Sequence, residues 1–259
     1  MPNDASVYPC IEVSSLSKSY TIADAHEMIL SDINLTVNQG EFVSIIGPSG
    51  CGKSTLLNII AGLDQADSGE INVQGVDGER LGKIGYMQQK DLLLPWRSVL
   101  DNAAIGLEVQ GFSKKEAREK VMEGIDRFGL SGFEALYPYA LSGGMRQRVA
   151  FLRTMIMDQP IVLLDEPFGA LDSLTRVQMQ RWLLEVWELM EKTIVLVTHD
   201  VDEALFLSDR ICLLSARPGT NSDLLKVELA RPRDHSVLST VEFGEIKQFL
   251  LSRLWAYME

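Results

Sequence analysis

The sequence has 259 residues, of which 46% are hydrophobic and 23% charged, the composition of an ordinary globular protein with a substantial core. Its 24 basic and 36 acidic residues give a net charge of −12, which argues against a broad nucleic-acid surface and against adsorption to anionic lipid. No apolar run approaches the ~18 residues of a membrane span, and residues 1–4 show no leader pattern, so we expect neither a span nor a secretion signal. The three cysteines lack metal-ligand spacing, which predicts neither zinc nor disulfides and fits a reducing cytoplasm.

Two segments near the N-terminus alternate between apolar and polar residues. They cover residues 10–13 and 32–37 and predict a small antiparallel sheet. Between them, Tyr20 stands at a predicted strand end. An aromatic ring in such a place can stack on a nucleotide base, a contact worth ~1 to 3 kcal/mol.

The central motif of the sequence is a glycine-rich segment at residues 47–55, which fits the pattern G-x-x-x-x-G-K-[ST]. A buried strand at 42–46 precedes it and a helical pattern follows it, so the motif has the context of a phosphate-binding loop. Its glycines let backbone N–H groups face phosphate oxygens, the lysine reaches the terminal phosphates, and the serine that follows ligates Mg²⁺. The predicted nucleotide-binding residues are Gly47, Pro48, Ser49, Gly50, Cys51, Gly52, Lys53, Ser54 and Thr55.

After the first helix, the pattern predicts a turn at 67–70, short strands at 71–73 and 84–87, and then a loop. The loop carries large apolar side chains next to a proline. Apolar groups exposed on a loop usually mark an interface, so we expect them to face outward toward a partner. These residues are Leu93, Leu94, Pro95 and Trp96.

Residues 99–159 have a helical pattern without a predicted strand, which indicates a helical insertion in an α/β core. Ser113 and Glu116 form a predicted capping box at one helix start. Ser142 is the predicted N-cap of another helix, and the glycines after it offer backbone amides. This second helix start is a candidate anion site without a lysine.

Two continuous apolar runs at 161–164 and 194–197 predict parallel strands that are buried on both faces. Asp165 and Glu166 follow the first strand, and His199 follows the second. The carboxyl ends of such strands share one edge of a sheet, where ligands bind. We expect Asp165 to hold Mg²⁺, Glu166 to deprotonate a water molecule, and His199 to contact the γ-phosphate.

In combination and in order, these motifs resemble the ATP-binding subunit of ABC transporters over roughly residues 11–232. GPSGCGKST is similar to the Walker A loop, LSGGMRQ to the family signature and IVLLDE to the Walker B strand. The resemblance implies an α/β P-loop NTPase core with a mixed, mainly parallel sheet and an N-terminal antiparallel β subdomain. It places an ATP-binding domain at residues 1–232, with a helical subdomain inserted at about 90–159, and a helical extension at 233–259.

The resemblance also implies residue roles. ATP-binding domains of this family meet head to tail, so the signature of one chain acts on the ATP held by the other. Tyr20 is then the adenine-stacking aromatic, Asp172 belongs to the D-loop, and His199 is the switch histidine. The Q-loop glutamine is Gln88 or Gln89; the family's spacing favours Gln89, which would also ligate Mg²⁺. The signature residues acting on the partner's ATP are Ser142, Gly143, Gly144 and Gln147.

Features outside the shared motifs resemble bacterial importers. The segments at 93–97 and 214–219 are similar to the branch that imports nitrate, sulfonate, taurine, bicarbonate and related solutes. This implies ATP and Mg²⁺ as ligands, and as partners a second copy of the chain, membrane permease subunits and, indirectly, an extracytoplasmic solute-binding protein, but no nucleic acid. The expected location is the cytoplasmic face of the cell membrane. The alternative is a soluble ABC ATPase for iron–sulfur assembly or DNA maintenance, against which the apolar loop and the lack of sustained heptads count.

Overall fold

The computed structural model describes residues 9–22 and 25–257. Residues 1–4, on which the expectation of no secretion signal rests, lie outside this range. Within the described residues, no helix is long and apolar enough to cross a membrane. The chain divides into two compact units, and the first is built from two separate stretches of sequence. The units are Met1–Ile84 with Glu191–Glu259, and Gly85–Met190.

Strands and helices alternate along much of the described chain, as expected for an α/β protein. The strands are β1 (Pro9–Ile22), β2 (Ala25–Asn38), β3 (Phe42–Ile46), β4 (Ser68–Val73), β5 (Gly85–Met87), β6 (Ile161–Asp165), β7 (Thr193–Thr198), β8 (Arg210–Leu214) and β9 (Asn221–Lys226). The helices are α1 (Lys53–Ala61), α2 (Val99–Val109), α3 (Lys114–Gly124), α4 (Gly143–Met155), α5 (Ser173–Met190), α6 (Val201–Leu207) and α7 (Val241–Ala256).

An antiparallel sheet in the first unit has the strand order β2-β1-β4, which confirms the predicted N-terminal sheet. The prediction of a turn at 67–70 is wrong, because β4 already begins at Ser68. Ser68 pairs with Ser17 and Glu70 with Ser14, and a shift in register lies between these two pairs. Tertiary pairing with β1 therefore overrides the local turn preference of the Ser-Gly sequence.

A second sheet in the first unit contains β7, β3, β8 and β9 in that order. β3 lies between β7 and β8 and is parallel to both, and β9 adds an antiparallel strand beside β8. Every residue of β3 and β7 is buried, as their continuous apolar sequences predict. Ile46, the last residue of β3, pairs with Thr198, the last residue of β7. The segments that follow these two strands therefore leave the sheet at the same edge.

The second unit combines a short parallel pair, β5 and β6, with helices α2 to α5. Aromatic side chains pack together in this unit. The Trp182 ring meets the rings of Phe128 and Phe151 edge to face, with ring centroids 5.2 Å and 5.3 Å apart. The predicted capping box at the start of α3 is confirmed, because Ser113 and Glu116 each bind the other's backbone N–H.

The C-terminal segment of the first unit packs against α6. Phe243 and Leu250 of α7 are buried in a cluster with apolar residues of α6 and β8. The Lys247 ammonium lies 2.7 Å from the carboxylate of Asp202 in the first turn of α6. The buried Arg233 guanidinium donates to four backbone carbonyl oxygens, three of which lie at the other end of α6. These three belong to Leu205 at 2.9 Å, Phe206 at 3.2 Å and Ser208 at 2.7 Å.

Candidate nucleotide-binding site

Residues 47–55 connect β3 to α1 and have the geometry of a phosphate site. The first turn of α1, described in full, begins after Gly52 and has neither a side-chain cap nor an acidic residue. Its amide groups and the helix dipole therefore favour an anion. The Lys53 ammonium is buried against the loop and donates to the carbonyl oxygens of Gly47 at 2.9 Å and Pro48 at 3.0 Å.

Close packing explains why two positions of this loop are occupied by glycine. A Cβ on Gly47 would lie 2.7 Å from the carbonyl oxygen of Leu214, and one on Gly52 would lie 2.6 Å from a methyl carbon of Leu30. Gly52 also has a φ of 105°, which side chains disfavour. Cys51 is buried, and burial raises the pKa of its thiol. Its side chain therefore packs inside the protein, and its backbone is the part that can face a phosphate.

Tyr20 lies near the end of β1 and is hydrogen-bonded to the phosphate loop. Its hydroxyl donates to the Asp64 carboxylate and is also hydrogen-bonded to Thr55. Burial, followed by the Asp64 carboxylate, raises the pKa of Tyr20 to about 12, so the hydroxyl stays protonated at neutral pH. Within the first unit, the structure thus brings the predicted base-stacking ring to the predicted phosphate site.

His199 is exposed directly after β7. Since Ile46 and Thr198 are paired, the phosphate loop and His199 follow neighbouring strand ends at one sheet edge, as predicted. Asp200 is the N-cap of α6, and its carboxylate accepts hydrogen bonds from two backbone amides of that helix at 2.9 and 3.2 Å. This cap fixes the backbone immediately after His199.

In the second unit, Gln89 and Glu166 follow the ends of the paired strands β5 and β6. The Gln89 amide donates to the Glu166 carboxylate, with Nε2 and Oε2 3.1 Å apart. This contact favours Gln89 over Gln88 as the Q-loop glutamine, and the assignment stays a prediction. Glu166 has a positive φ of 44°, a backbone conformation that non-glycine residues adopt mainly where the surrounding structure imposes it.

Asp165 is buried at the end of β6. The Tyr86 hydroxyl is hydrogen-bonded to it, and burial together with the Asp165 charge raises the pKa of Tyr86. The phenol therefore remains a hydrogen-bond donor that can orient the Asp165 carboxylate. Sequence reasoning missed Tyr86; the available signal was its place in a short buried strand two residues before Gln88.

The signature segment begins α4. Ser142 is its N-cap, and its hydroxyl accepts a hydrogen bond from the Met145 amide at 3.3 Å. Ser142 and Gly143 are exposed, and a Cβ on Gly144 would lie 2.7 Å from a methyl carbon of Thr175. The helix start thus presents small residues and backbone amides on the surface of this unit, which suits an anion.

Gln147 does not share this exposure. It is buried, and its amide donates to the carbonyl oxygen of Pro167, in the segment that follows Glu166. This burial contradicts the prediction that Gln147 acts on the ATP of a partner chain. Asp172, the predicted D-loop residue, is exposed and accepts hydrogen bonds from the Thr175 amide at 3.0 Å and hydroxyl at 2.7 Å, which lower the pKa of its carboxyl.

Comparison with known proteins identifies the family. The family model described as "ABC transporter" matches residues 30–169, more than half of the chain. The chain belongs to the ABC transporter family. The aliphatic sulfonates import ATP-binding protein SsuB of Bacillus cereus is 42% identical over 94% of this chain and 95% of that protein. The taurine import ATP-binding protein TauB of Escherichia coli O157:H7 is 41% identical over 89% of this chain and 93% of its own length.

A solved structure extends the comparison to the fold. The dimeric, post-hydrolysis state of the ATP-binding cassette MJ0796 bound to ADP and Pi has a TM-score of 0.74 and 33% sequence identity, and covers 85% of this chain and 100% of its own. The predicted P-loop NTPase fold is thereby confirmed. This member of the ABC transporter family is an ATP-binding chain and an ATPase.

The apolar loop of this ABC ATPase is only partly as predicted. Trp96 is 71% exposed and Pro95 is exposed, but Leu94 is half-buried and Leu93 is buried, so the prediction that Leu93 faces outward is wrong. The buried Asn102 amide fixes the loop: its oxygen accepts from the Leu94 amide at 2.7 Å, and its nitrogen donates to carbonyl oxygens of the loop. The loop therefore presents Trp96 from an ordered backbone.

Two exposed tyrosines belong to a segment that is hydrogen-bonded to the backbone just after this loop. Val99, at the start of α2, donates to the carbonyl oxygen of Leu136 at 2.8 Å, which ties residues 133–139 to the end of the loop. Tyr139 is 82% exposed and stacks on the partly exposed Tyr137 with ring centroids 5.8 Å apart. Three aromatic side chains are thus exposed on two backbone segments that this hydrogen bond joins, and together we call Trp96, Tyr137 and Tyr139 the aromatic patch. Its members are large apolar groups that this unit leaves open to solvent.

The residues predicted to bind Mg²⁺ offer the right kind of ligand. Ser54 supplies a hydroxyl, Gln89 an amide oxygen and Asp165 a carboxylate, and Mg²⁺ prefers such oxygen donors. Among the described residues, no group of three or more His, Cys, Asp or Glu could form a metal site by itself. Mg²⁺ is usually bound through one or two carboxylates together with phosphate oxygens and water, and Asp165 offers one such carboxylate.

Proposed function

We propose that this ATPase is the energy-supplying subunit of an importer, that it binds ATP with Mg²⁺, and that two copies act head to tail. The supporting observation is the exposed start of α4, where Ser142 and Gly143 offer a second candidate anion site in a chain that has its first candidate at residues 47–55. One chain thus carries both halves of a nucleotide site, and the ATP of one copy would be completed by the signature of the other.

In this proposal different residues of one chain bind the phosphates, bind Mg²⁺ and accept a proton. Lys53 and the first amides of α1 bind the phosphates, and Ser54, Gln89 and Asp165 would hold Mg²⁺. The bound ion would neutralise charge on the β- and γ-phosphates. Glu166 accepts the proton of the attacking water.

The surrounding groups orient these residues. Gln89 holds the Glu166 carboxylate through the 3.1 Å hydrogen bond, and Tyr86 orients Asp165. His199 contacts the γ-phosphate from the neighbouring strand end.

The head-to-tail arrangement is tested by Ser142→Arg. The new side chain blocks the exposed helix start but lies outside residues 47–55, so we expect a single chain to bind ATP as the wild type does. In a Glu166→Gln background, which slows hydrolysis, ATP should no longer produce dimers on size exclusion. Ser252→Arg, on the exposed face of α7, is the control and should still dimerise. Loss of ATP binding and of dimerisation together in Ser142→Arg would contradict the proposal.

The aromatic patch is the proposed docking surface for a cytoplasmic helix of a membrane permease. Burial of a Trp side chain contributes about 1.5 to 3 kcal/mol, enough to support docking together with the tyrosines. Trp96→Ala should leave the ATPase activity of the isolated subunit unchanged but weaken its co-purification with the permease and uncouple uptake from hydrolysis. Trp255→Ala is a matched control, because Trp255 is 66% exposed on α7 and Trp96 is 71% exposed. Equal effects of the two variants would exclude specific docking at the patch.

The proposed solute is a small anion or small organic molecule such as nitrate, a sulfonate, taurine or bicarbonate. Relatives support this class: besides the sulfonate and taurine proteins, the formylaminopyrimidine import ATP-binding protein ThiZ of Halalkalibacterium halodurans is 48% identical over 73% of this chain and 74% of that protein. We further propose that the subunit works at the cytoplasmic face of the cell membrane, with an extracytoplasmic solute-binding protein delivering the solute. Uptake of labelled candidates by cells with and without the gene tests the solute class.

A further inference from the structure

Three side chains of the first unit form a connected cluster at the predicted base-binding end of the nucleotide site. The Tyr20 hydroxyl donates to Oδ2 of Asp64, and the Lys18 ammonium donates to Oδ1 of the same carboxylate at 3.0 Å. Lys18 also donates to the carbonyl oxygen of Gln65 at 2.7 Å. A single carboxylate thus joins the lysine to the tyrosine. We call Lys18, Tyr20 and Asp64 the tyrosine anchor.

The anchor holds the Tyr20 ring at two points. The hydroxyl is fixed by Asp64, and the Lys18 ammonium lies over the ring, 4.8 Å from its centroid, in the position of a cation–π contact. The cation thereby covers one face of the ring, so a stacked base would lie against the opposite face. Asp64 itself lies just beyond α1, the helix that begins in the phosphate loop. The ring is therefore tied to the end of the element that binds phosphate.

We propose that Asp64 and Lys18 are positioning residues that hold Tyr20 in the orientation needed to stack on the base of the bound nucleotide. The inference rests on the proposed role of Tyr20 in base stacking and goes beyond it by naming the residues that preorganise the ring. A side chain that is already held in its binding conformation loses less rotational freedom on binding, so the anchor increases affinity without touching the nucleotide.

The test compares ATP with inorganic triphosphate, which uses the phosphate loop but has no base to stack. Dissociation constants for both are measured by calorimetry, with thermal unfolding as a check on folding. Asp64→Ala should weaken ATP binding about 3- to 10-fold, the order that one partly exposed hydrogen bond supports, and should leave triphosphate binding within about twofold of wild type. Asp64→Asn retains an acceptor for the tyrosine hydroxyl and should give an intermediate ATP affinity. A purely structural role would weaken both ligands alike and would overturn the proposal.

Asp67→Asn is the matched control. The Asp67 carboxylate lies 3.8 Å from Lys18 and accepts hydrogen bonds from Ser19, and it has no hydrogen bond to Tyr20 among those described. The Asp67→Asn variant should have an ATP dissociation constant within about twofold of wild type, since the hydrogen bond between Asp64 and Tyr20 is intact. A loss of ATP affinity equal to that of Asp64→Ala would show that local charge, rather than the anchor, controls binding.

Two tyrosine variants separate the inference from the proposed function. Tyr20→Ala should weaken ATP binding about 5- to 150-fold without affecting triphosphate, because it removes the stacked ring. If it does not, the stacking role of Tyr20 fails, and the anchor with it. Tyr20→Phe removes the hydroxyl, with its bonds to both Asp64 and Thr55, and should weaken ATP binding at least as much as Asp64→Ala. The Asp64→Ala, Tyr20→Phe double variant should be no weaker than Tyr20→Phe alone. Independent, additive losses in the double variant would reject the anchor while leaving the stacking role intact.

Discussion

Gly219→Ala is expected to weaken ATP binding from a position outside the phosphate loop. The Gly219 amide donates to the carbonyl oxygen of Ile29 at 2.8 Å, and its own carbonyl oxygen accepts from the Ser31 amide at 2.9 Å, so β2 holds its backbone on both sides. A Cβ at this position would lie closer than 3.0 Å to the carbonyl oxygen of Cys51, a separation that real Cβ atoms essentially never show. Because Gly219 is held by β2, we expect the phosphate loop to move instead.

The magnitude follows from the cost of overpacking, which is about 1 to 3 kcal/mol for an extra carbon in a tightly packed site. If the loop moves, this cost appears as a loss of ATP affinity of about 5- to 150-fold, since 1.4 kcal/mol corresponds to a factor of ten. If the loop resists, it appears as a lower melting temperature, by about 2 to 4 °C for each kcal/mol. Calorimetric titration with ATP and a thermal unfolding scan on the same sample measure both quantities.

Gly244→Ala provides the control for this substitution. Gly244 lies in α7 of the same unit, and a Cβ there would have no atom within 4 Å. Alanine in a helix interior is favoured over glycine by about 0.5 to 1 kcal/mol, so this variant should be slightly more stable and bind ATP normally. If Gly219→Ala kept both the wild-type ATP affinity and the wild-type melting temperature, the close approach to Cys51 would not constrain the loop.

Three further predictions concern single residues. Glu166→Gln should lower ATP hydrolysis by about 10² to 10⁴ while ATP binding persists, as measured by phosphate release and calorimetry; near-normal turnover would remove Glu166 as the general base. Cys51 should react with maleimide only slowly at pH 7 to 8, because burial keeps its thiol pKa raised, and labelling followed by mass spectrometry before and after unfolding tests this. Burial raises the pKa of Asp64, but hydrogen bonds from Tyr20 and Lys18 outweigh it and hold the pKa below its usual value. The stability that ionised Asp64 contributes should thus be full above about pH 4 and be lost as pH falls further, so the unfolding free energies of wild type and Asp64→Ala should converge in acid.

Local sequence signals predicted the elements of this fold well where a pattern and a cap agreed. The continuous apolar sequences of β3 and β7 identify buried parallel strands, and the Ser113 capping box marks the start of α3. Local sequence signals gave wrong predictions where residues distant in sequence determine whether a residue joins a strand or is buried. Ser68 joins β4 because it pairs with Ser17, and Leu93 turns inward in a loop whose backbone Asn102 fixes. A loop has no periodicity from which the direction of each side chain can be read.

The same distinction holds for the candidate site. The motif residues are contiguous in sequence, so their chemistry could be predicted from type and spacing. Tyr86, Lys18 and Asp64 could not, because each acts on a motif residue through a contact that depends on the folded chain. For Gln147 the motif itself misleads. Its place in the signature predicts contact with a partner's ATP, but α4 turns its side chain into the protein.

The attachment of α6 to the end of the chain bears on the order in which the protein folds during synthesis. Chains emerge from the ribosome N-terminus first, and domains generally fold as units as they appear. The carbonyl groups at the end of α6 gain their partner only when Arg233 has been added, and its first turn gains Lys247 later still. β3 must likewise wait for β7 and β8. The phosphate loop is therefore translated early, but β3 and His199 gain the strands and the helix end that support them only after β8 and Arg233 have been translated.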